Sequence, residues 1–262
     1  MKPDISLSGQ IAFVSGTSRG LGECFAMTLA QAGADLVVTS RTLSSLNDIK
    51  GRIEDLGRNC LPLELDVRSY DSIVAAVQAA KAHYGKLDVL VCNAGCNVRK
   101  PAVDVTWDDW NLILDTNLRG SFFLAQQAAK ELMLPAKYGR IILIGSVTCV
   151  AGYAGLAPYG ASRGGVKQLA MSLADDWGHA GITVNVLAPG WFKTAQNAVM
   201  YENAEWVEYL SDRIPLKRPG SMGDLDGPLL FLASEGSRYV TGQTLLVDGG
   251  ISGGATRALP KR

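Results

Sequence analysis

The sequence predicts an α/β fold, a doubly wound parallel sheet with helices on both faces. Three observations lead there. Short β-branched apolar runs alternate with stretches of helical character along the chain. The runs are apolar at nearly every position rather than at every second one, as suits strands covered on both sides. A glycine-rich turn joins the first run directly to the first helical stretch, and alternating strand and helix units close into a sheet through right-handed crossovers.

Taken in order, QIAFVS at Gln10–Ser15 reads as the first strand and Gly20–Gln31 as the first helix. Asp35–Thr39 (DLVVT) is the second strand, followed by a polar helix from about Ser44 to Leu56. A third strand at Leu61–Leu65 leads into a helix at Asp71–His83, and a fourth at Val89–Cys92 into a long helical region at Trp107–Leu134. Arg140–Ile144 (RIILI) precedes a helix at Ala157–Trp177; Thr183–Leu187 and Thr244–Val247 complete the series. No linker, repeat or low-complexity block divides residues 1–262, so one domain is expected. Residues 192–222 interrupt the alternation with polar, aromatic and charged residues, and read as an inserted lid.

Composition excludes several functions. The chain has 262 residues, 47% hydrophobic and 19% charged, which suits a sizeable core and rules out disorder. Lys+Arg and Asp+Glu are both 25, so no basic excess exists to neutralise a nucleic-acid backbone. No apolar run approaches the ~18 residues a membrane helix needs, and MKPDISLSGQ does not read as a secretory signal. The two histidines, His83 and His179, lie far apart, which argues against an imidazole metal site. The odd set Cys24, Cys60, Cys92, Cys96 and Cys149 reads as reduced thiols in a cytoplasmic protein.

The segment Gly16-Thr17-Ser18-Arg19-Gly20-Leu21-Gly22 follows the first strand and opens the first helix. Glycines there permit a tight turn and bring backbone N–H groups up to a pyrophosphate at the helix N-terminus. The spacing is a variant of the dinucleotide fingerprint of Rossmann-like folds. The second strand ends at Thr39-Ser40-Arg41. A carboxylate at that place would bind a ribose 2′-hydroxyl, whereas an arginine accommodates a 2′-phosphate. With Ser40 in the carboxylate position and Arg41 and Arg19 nearby, NADP is expected over NAD. The alternative, two solvated surface charges, stays open for both arginines.

Farther along lie Asn93-Ala94-Gly95, Asn117, Ser146, Tyr159-Gly160-Ala161-Ser162-Arg163 and Pro189-Gly190. With the glycine turn, and in this order through to Asp248-Gly249-Gly250, they resemble the short-chain dehydrogenase/reductase family over nearly the whole chain. The resemblance implies an oxidoreductase in which Tyr159 is the acid/base, Ser146 holds the substrate oxygen, and Asn117 anchors a water of a proton relay. A tyrosine phenol ordinarily ionises near pH ~10, so the role needs a cation close by. The family supplies a lysine four residues after the tyrosine, and this chain has Arg163 instead. Arginine keeps its charge and can bind ribose hydroxyls, but it cannot give up and regain a proton. Lys167 lies two turns from Tyr159, ~12 Å along a helix, too far to stand in.

The same resemblance places Asn93, Ala94 and Gly95 beside the cofactor, Asp66 and Val67 at the adenine, and Pro189, Gly190, Phe192 and Thr194 around the crevice beyond the sixth strand. It also implies a homo-oligomer, tetramer or dimer, paired through the long helices and the last strand. On substrate, Asp212-Arg213-Ile214-Pro215 and the run to Gly250 resemble sugar-acid and polyol dehydrogenases such as gluconate 5-dehydrogenases. Arg99 would then grip a carboxylate, or is a surface charge. Trp191, Phe192, Tyr201 and Trp206 would line an apolar pocket for a bulkier ketone, as in ketoacyl reductases, or simply pack the lid. A weakly active nucleotide-binding protein is the remaining alternative, permitted by Arg163.

Overall fold

The computed structural model describes residues 5–194 and 198–253. Its seven strands are β1 (Ile11–Val14), β2 (Asp35–Ser40), β3 (Cys60–Glu64), β4 (Val89–Cys92), β5 (Gly139–Ile144), β6 (Ile182–Pro189) and β7 (Thr244–Val247). They form one sheet in the order β3-β2-β1-β4-β5-β6-β7, every neighbouring pair parallel. The helices are α1 (Gly20–Gln31), α2 (Asn47–Asp55), α3 (Tyr70–Tyr84), α4 (Trp107–Leu114), α5 (Gly120–Ala128), α6 (Leu134–Ala136), α7 (Ala157–Gly178), α8 (Ala204–Arg213) and α9 (Asp226–Ala233).

The all-apolar strands split their side chains between two cores. Ile11, Phe13, Val37, Leu90 and Cys92 pack toward α3, α5 and α7. Their neighbours Ala12, Val14, Leu36, Val38, Val89 and Val91 pack toward α1, α2 and α9. This is the period of two along a strand expressed on both faces at once. The two edge strands are the exceptions: β3 buries only Cys60 and β7 buries no residue fully.

The strand order reverses between β1 and β4, and ligands of open α/β sheets bind outside the carboxyl ends of strands at such a point. Elements differ from expectation in three places. The helix expected from about Ser44 begins with a tighter turn at Leu43–Leu46 before α2. The expected long helical region is α4, α5 and α6 joined by two π-type segments, Asp115–Arg119 and Ala129–Met133. Two further helices appear, α8 within residues 192–222 and α9, which carries the chain across to β7. A bridge between Phe192 and Gly220 closes the base of that segment. Among the described residues no helix is long and apolar enough to cross a membrane.

Candidate active site

A cleft of about 420 Å³ opens over the carboxyl ends of β1, β2, β4, β5 and β6. The turn after β1 forms one end. Gly16 has φ +74, a conformation that a side chain disfavours. Gly16 N–H donates to Thr39 Oγ1 at 3.3 Å and Thr17 N–H to Thr39 O at 2.8 Å, tying the turn to β2. Arg19 precedes α1 in extended conformation and its side chain caps nothing. Gly16, Ser18, Arg19, Gly20 and Leu21 all line the cleft. Gly22, expected beside them, is instead buried beneath the turn. A Cβ there would collide with Gly16 O and Asn93 Nδ2, so this glycine lets helix and turn pack closely.

The wall beside β4 is fixed by Ser15, whose hydroxyl accepts from both Asn93 N–H (2.9 Å) and Ala94 N–H (3.0 Å). Asn93 Nδ2 donates to Ser15 O and Gly16 O. This serine escaped the sequence reading; its only signal was a buried hydroxyl at a strand end.

Ser40, Arg41, Asp66 and Val67 line the outer end of the cleft, together with Arg68, which the sequence reading missed. Arg68 lies bidentate on Asp66, Nε to Oδ1 at 3.3 Å and Nη2 to Oδ2 at 3.1 Å. Burial works to raise the Asp66 carboxyl, but Arg68 and, more distantly, Arg41 outweigh it and hold the group below its ordinary value. Three arginines thus face one corner.

At the other end, Ser146 and Tyr159 line the cleft with Gly145, Pro189, Gly190, Phe192 and Thr194. Ser146 accepts from Thr148 N–H at 3.2 Å. Four residues along α7 from Tyr159, Arg163 lies buried with its Cζ 5.0 Å from the Tyr159 ring centroid. Arg163 Nη1 donates to Ile144 O at 2.7 Å, and Nε has no partner. The guanidinium also fixes its neighbour: a Cβ on Gly95 would stand 2.5 Å from Arg163 Nη2.

Asn117 differs from expectation. It sits in the first π-type segment, fully buried and off the cleft wall. Its Oδ1 accepts from Cys96 N–H at 2.8 Å, while Nδ2 donates to Cys96 O at 2.9 Å and Ser162 Oγ at 3.1 Å. Ser162 Oγ donates onward to Tyr159 O at 2.7 Å. The carboxamide therefore ties the loop after β4 to the turn carrying Tyr159, while the main-chain carbonyl of Asn117 accepts from the Ser121 hydroxyl. Helical periodicity cannot reveal this, because the π-type segment re-aims the residue.

Arg99 and Trp191 are also off the cleft wall. Arg99 is exposed, with Nη1 3.7 Å from Met200 Sδ. Trp191 stands edge-on to Tyr153 at 5.7 Å and to Trp206 at 5.5 Å. Among the described residues no cluster of three or more His, Cys, Asp or Glu side chains could hold a metal ion.

A family model described as enoyl-(acyl carrier protein) reductase matches residues 16–252. The 2-dehydro-3-deoxy-D-gluconate 5-dehydrogenase of Pseudoalteromonas atlantica is 37% identical over 97% of this chain and 100% of its own length. The 3-oxoacyl-(acyl-carrier-protein) reductase of Salmonella typhimurium is 36% identical over 94% of this chain and 99% of its own. Among solved structures, a gluconate 5-dehydrogenase from Burkholderia cenocepacia in complex with NADP and tartrate superposes with a TM-score of 0.93 at 36% identity, covering 96% of this chain and 98% of that one. On this sequence match and this sheet, the chain belongs to the short-chain dehydrogenase/reductase family of oxidoreductases.

Proposed function

We propose that the protein is an NADP-dependent oxidoreductase that interconverts a hydroxyl and a ketone, in a sugar acid or polyol. The observation that carries the reading is the buried Arg163 guanidinium 5.0 Å from the Tyr159 ring, at one end of a cleft whose other end is a glycine turn flanked by arginines. The cleft fits a dinucleotide. The uncapped start of α1 and the positive-φ turn at Gly16 offer backbone donors to a pyrophosphate. Arg163 Nε is a buried donor still lacking an acceptor. When bound, the nicotinamide supplies or accepts the hydride.

The protein's own residues handle the proton and the orientation. In reduction the Tyr159 hydroxyl gives its proton to the carbonyl oxygen, and in oxidation it takes one back. Negative charge that develops on the phenol oxygen is stabilised by the fixed Arg163 cation. Ser146 donates its hydroxyl to the substrate oxygen. Asn117 acts through Cys96, Ser162 and the Tyr159 backbone, as a positioning residue. Arg41, with Arg19 and Arg68, holds the 2′-phosphate by charge-assisted hydrogen bonds. The expected lid at 192–222, of which 195–197 lie outside the described residues, covers the substrate within a single domain, and Arg99 at its edge meets a substrate carboxylate.

A homo-oligomer, tetramer or dimer, is supported by a shallow apolar groove where Leu114, Leu118 and Phe122 face Leu169. Five free thiols among the described residues suit a cytoplasmic setting. The second reading, a 3-ketoacyl or other bulky-ketone reductase, is favoured by the 36% identity to the Salmonella enzyme. A panel of gluconate, polyols and β-ketoesters with NADP(H) and NAD(H), followed by nicotinamide absorbance, separates them. Turnover confined to the ketoesters would overturn the first reading, and absence of turnover with nicotinamide binding retained would leave a nucleotide-binding protein.

A further inference from the structure

We infer that the indole N–H groups of Trp191 and Trp206 and the Tyr201 hydroxyl are the specificity determinants that read the hydroxyls of the substrate chain. The inference rests on the oxidoreductase reading above and assigns residues to its substrate side.

Buried polar groups in folded proteins nearly always have partners. Among the described residues eight buried side-chain polar atoms have none. Two of them, on Gln10 and Thr183, lie at the starts of strands, away from the cleft. The other six belong to Asn97, Thr148, Arg163, Trp191, Tyr201 and Trp206. Each of these sits on a segment beyond the carboxyl end of β4, β5 or β6. The missing partners are therefore concentrated on one end of the sheet, the end where a ligand binds. Arg163 belongs to the cofactor and catalytic group. The remaining set flanks the substrate half.

Trp191 lies just behind the cleft wall, between Gly190 and Phe192, both of which line the cleft. From it a row of rings leads outward. Tyr153 lies edge-on on one side; Trp206 lies edge-on on the other, at 77°, and stacks on Tyr209 at 5.7 Å. Arg213 closes the row, with its Cζ 4.5 Å from the Tyr209 centroid. Rings held this way by their neighbours lose little freedom on binding. An indole N–H can only donate. Burial pushes the Tyr201 phenol up to about 12, so it too keeps its proton at working pH. Burial raises the Tyr153 phenol while the Trp191 N–H counters it, yet the two do not reach hydrogen-bond geometry. What the two indoles lack is an acceptor, and the Tyr201 hydroxyl can donate to one as well. The oxygens of a polyhydroxylated chain supply several, whereas a hydrocarbon acyl chain supplies none and leaves the donors unpaired. Sites built to hydrogen-bond a hydroxyl reject analogues that lack it far more strongly than apolar pockets reject a methylene.

The test compares wild type with Trp191→Phe, Trp206→Phe and Tyr201→Phe, each keeping a ring and losing one polar group. kcat/KM is measured with NADP⁺ for gluconate, sorbitol and 2-octanol, and NADP⁺ affinity by calorimetry. The expected result is a fall of about tenfold or more per variant in the gluconate-to-octanol ratio, with the NADP⁺ Kd within about twofold of wild type. An unchanged ratio, or an equal fall for all three alcohols, overturns the inference and leaves the oxidoreductase reading standing. Wild type that oxidises octanol but neither gluconate nor sorbitol overturns both. Should a variant fail to fold, wild-type kcat/KM for gluconate against its monodeoxy analogues reads the same donors from the substrate side. Equal values there overturn the inference.

Discussion

The two ends of the cleft are built in opposite ways. The adenosine end is made mostly of main chain and strand-end residues drawn from the first 95 positions. Gly16, Thr17, Thr39, Ser15 and Asn93 are hydrogen-bonded to one another, so the protein's own groups fix the cradle. The substrate end draws side chains from loops and helices beyond β4, β5 and β6, several with polar atoms lacking partners. The first end is a rigid recess that recognises a shape common to many proteins. The second is an incomplete set of hydrogen bonds that one class of ligand completes. A cofactor shared across a family favours a backbone cradle, and a substrate that differs from member to member favours exchangeable side chains on loops.

The largest effect should come where the two ends meet. Tyr159→Phe is expected to lower kcat by about a thousandfold or more while calorimetric NADPH affinity stays within a few-fold. Turnover kept within tenfold would take the acid/base role from this residue. Gly22→Ala tests whether the adenosine end is rigid. Its Cβ meets Gly16 O and Asn93 Nδ2, and overpacking of this kind costs about 1–3 kcal/mol. A Tm drop of roughly 2–12 °C is expected by scanning calorimetry, with weaker NADPH binding. An unchanged Tm would show that the turn yields.

Arg41→Ala should raise the NADPH Kd about tenfold and the NADH Kd far less. Equal effects on both would remove the 2′-phosphate role. The smallest change is expected from Arg163→Lys, which keeps a cation four residues from Tyr159 and should preserve or raise kcat. A collapse of kcat in that variant would show that the site depends on the guanidinium and its bond to Ile144 O.

This division also explains what the sequence could tell. Gly16, Gly20, Ser40 and Arg41 were legible because a backbone cradle demands glycine at fixed places and a strand end fixes the next residue. Tyr159 was singled out by the family resemblance, and the placing of Arg163 beside it was legible because residues four apart on a helix share a face. The closed bonding of Asn117 was not legible, since it depends on a π-type segment with no compositional mark. The Trp191–Trp206 pairing was hidden for a related reason, because loop geometry brings together residues fifteen apart. α9 (DGPLLFLA) escaped because Gly227 and Pro228 read as breakers, although its proline falls in the first turn, where no N–H is missed.

The π-type segment at Asp115–Arg119 carries one last consequence. Its wider turn accommodates a residue that an ordinary α-helix would not hold. Removing a single residue from this stretch would restore regular winding, and the carboxamide of Asn117 would swing by about 100°. Loop and tyrosine would then be unfastened from each other while the helix itself grew more regular. Shortening the chain at this point would therefore harm catalysis even where it steadied the fold.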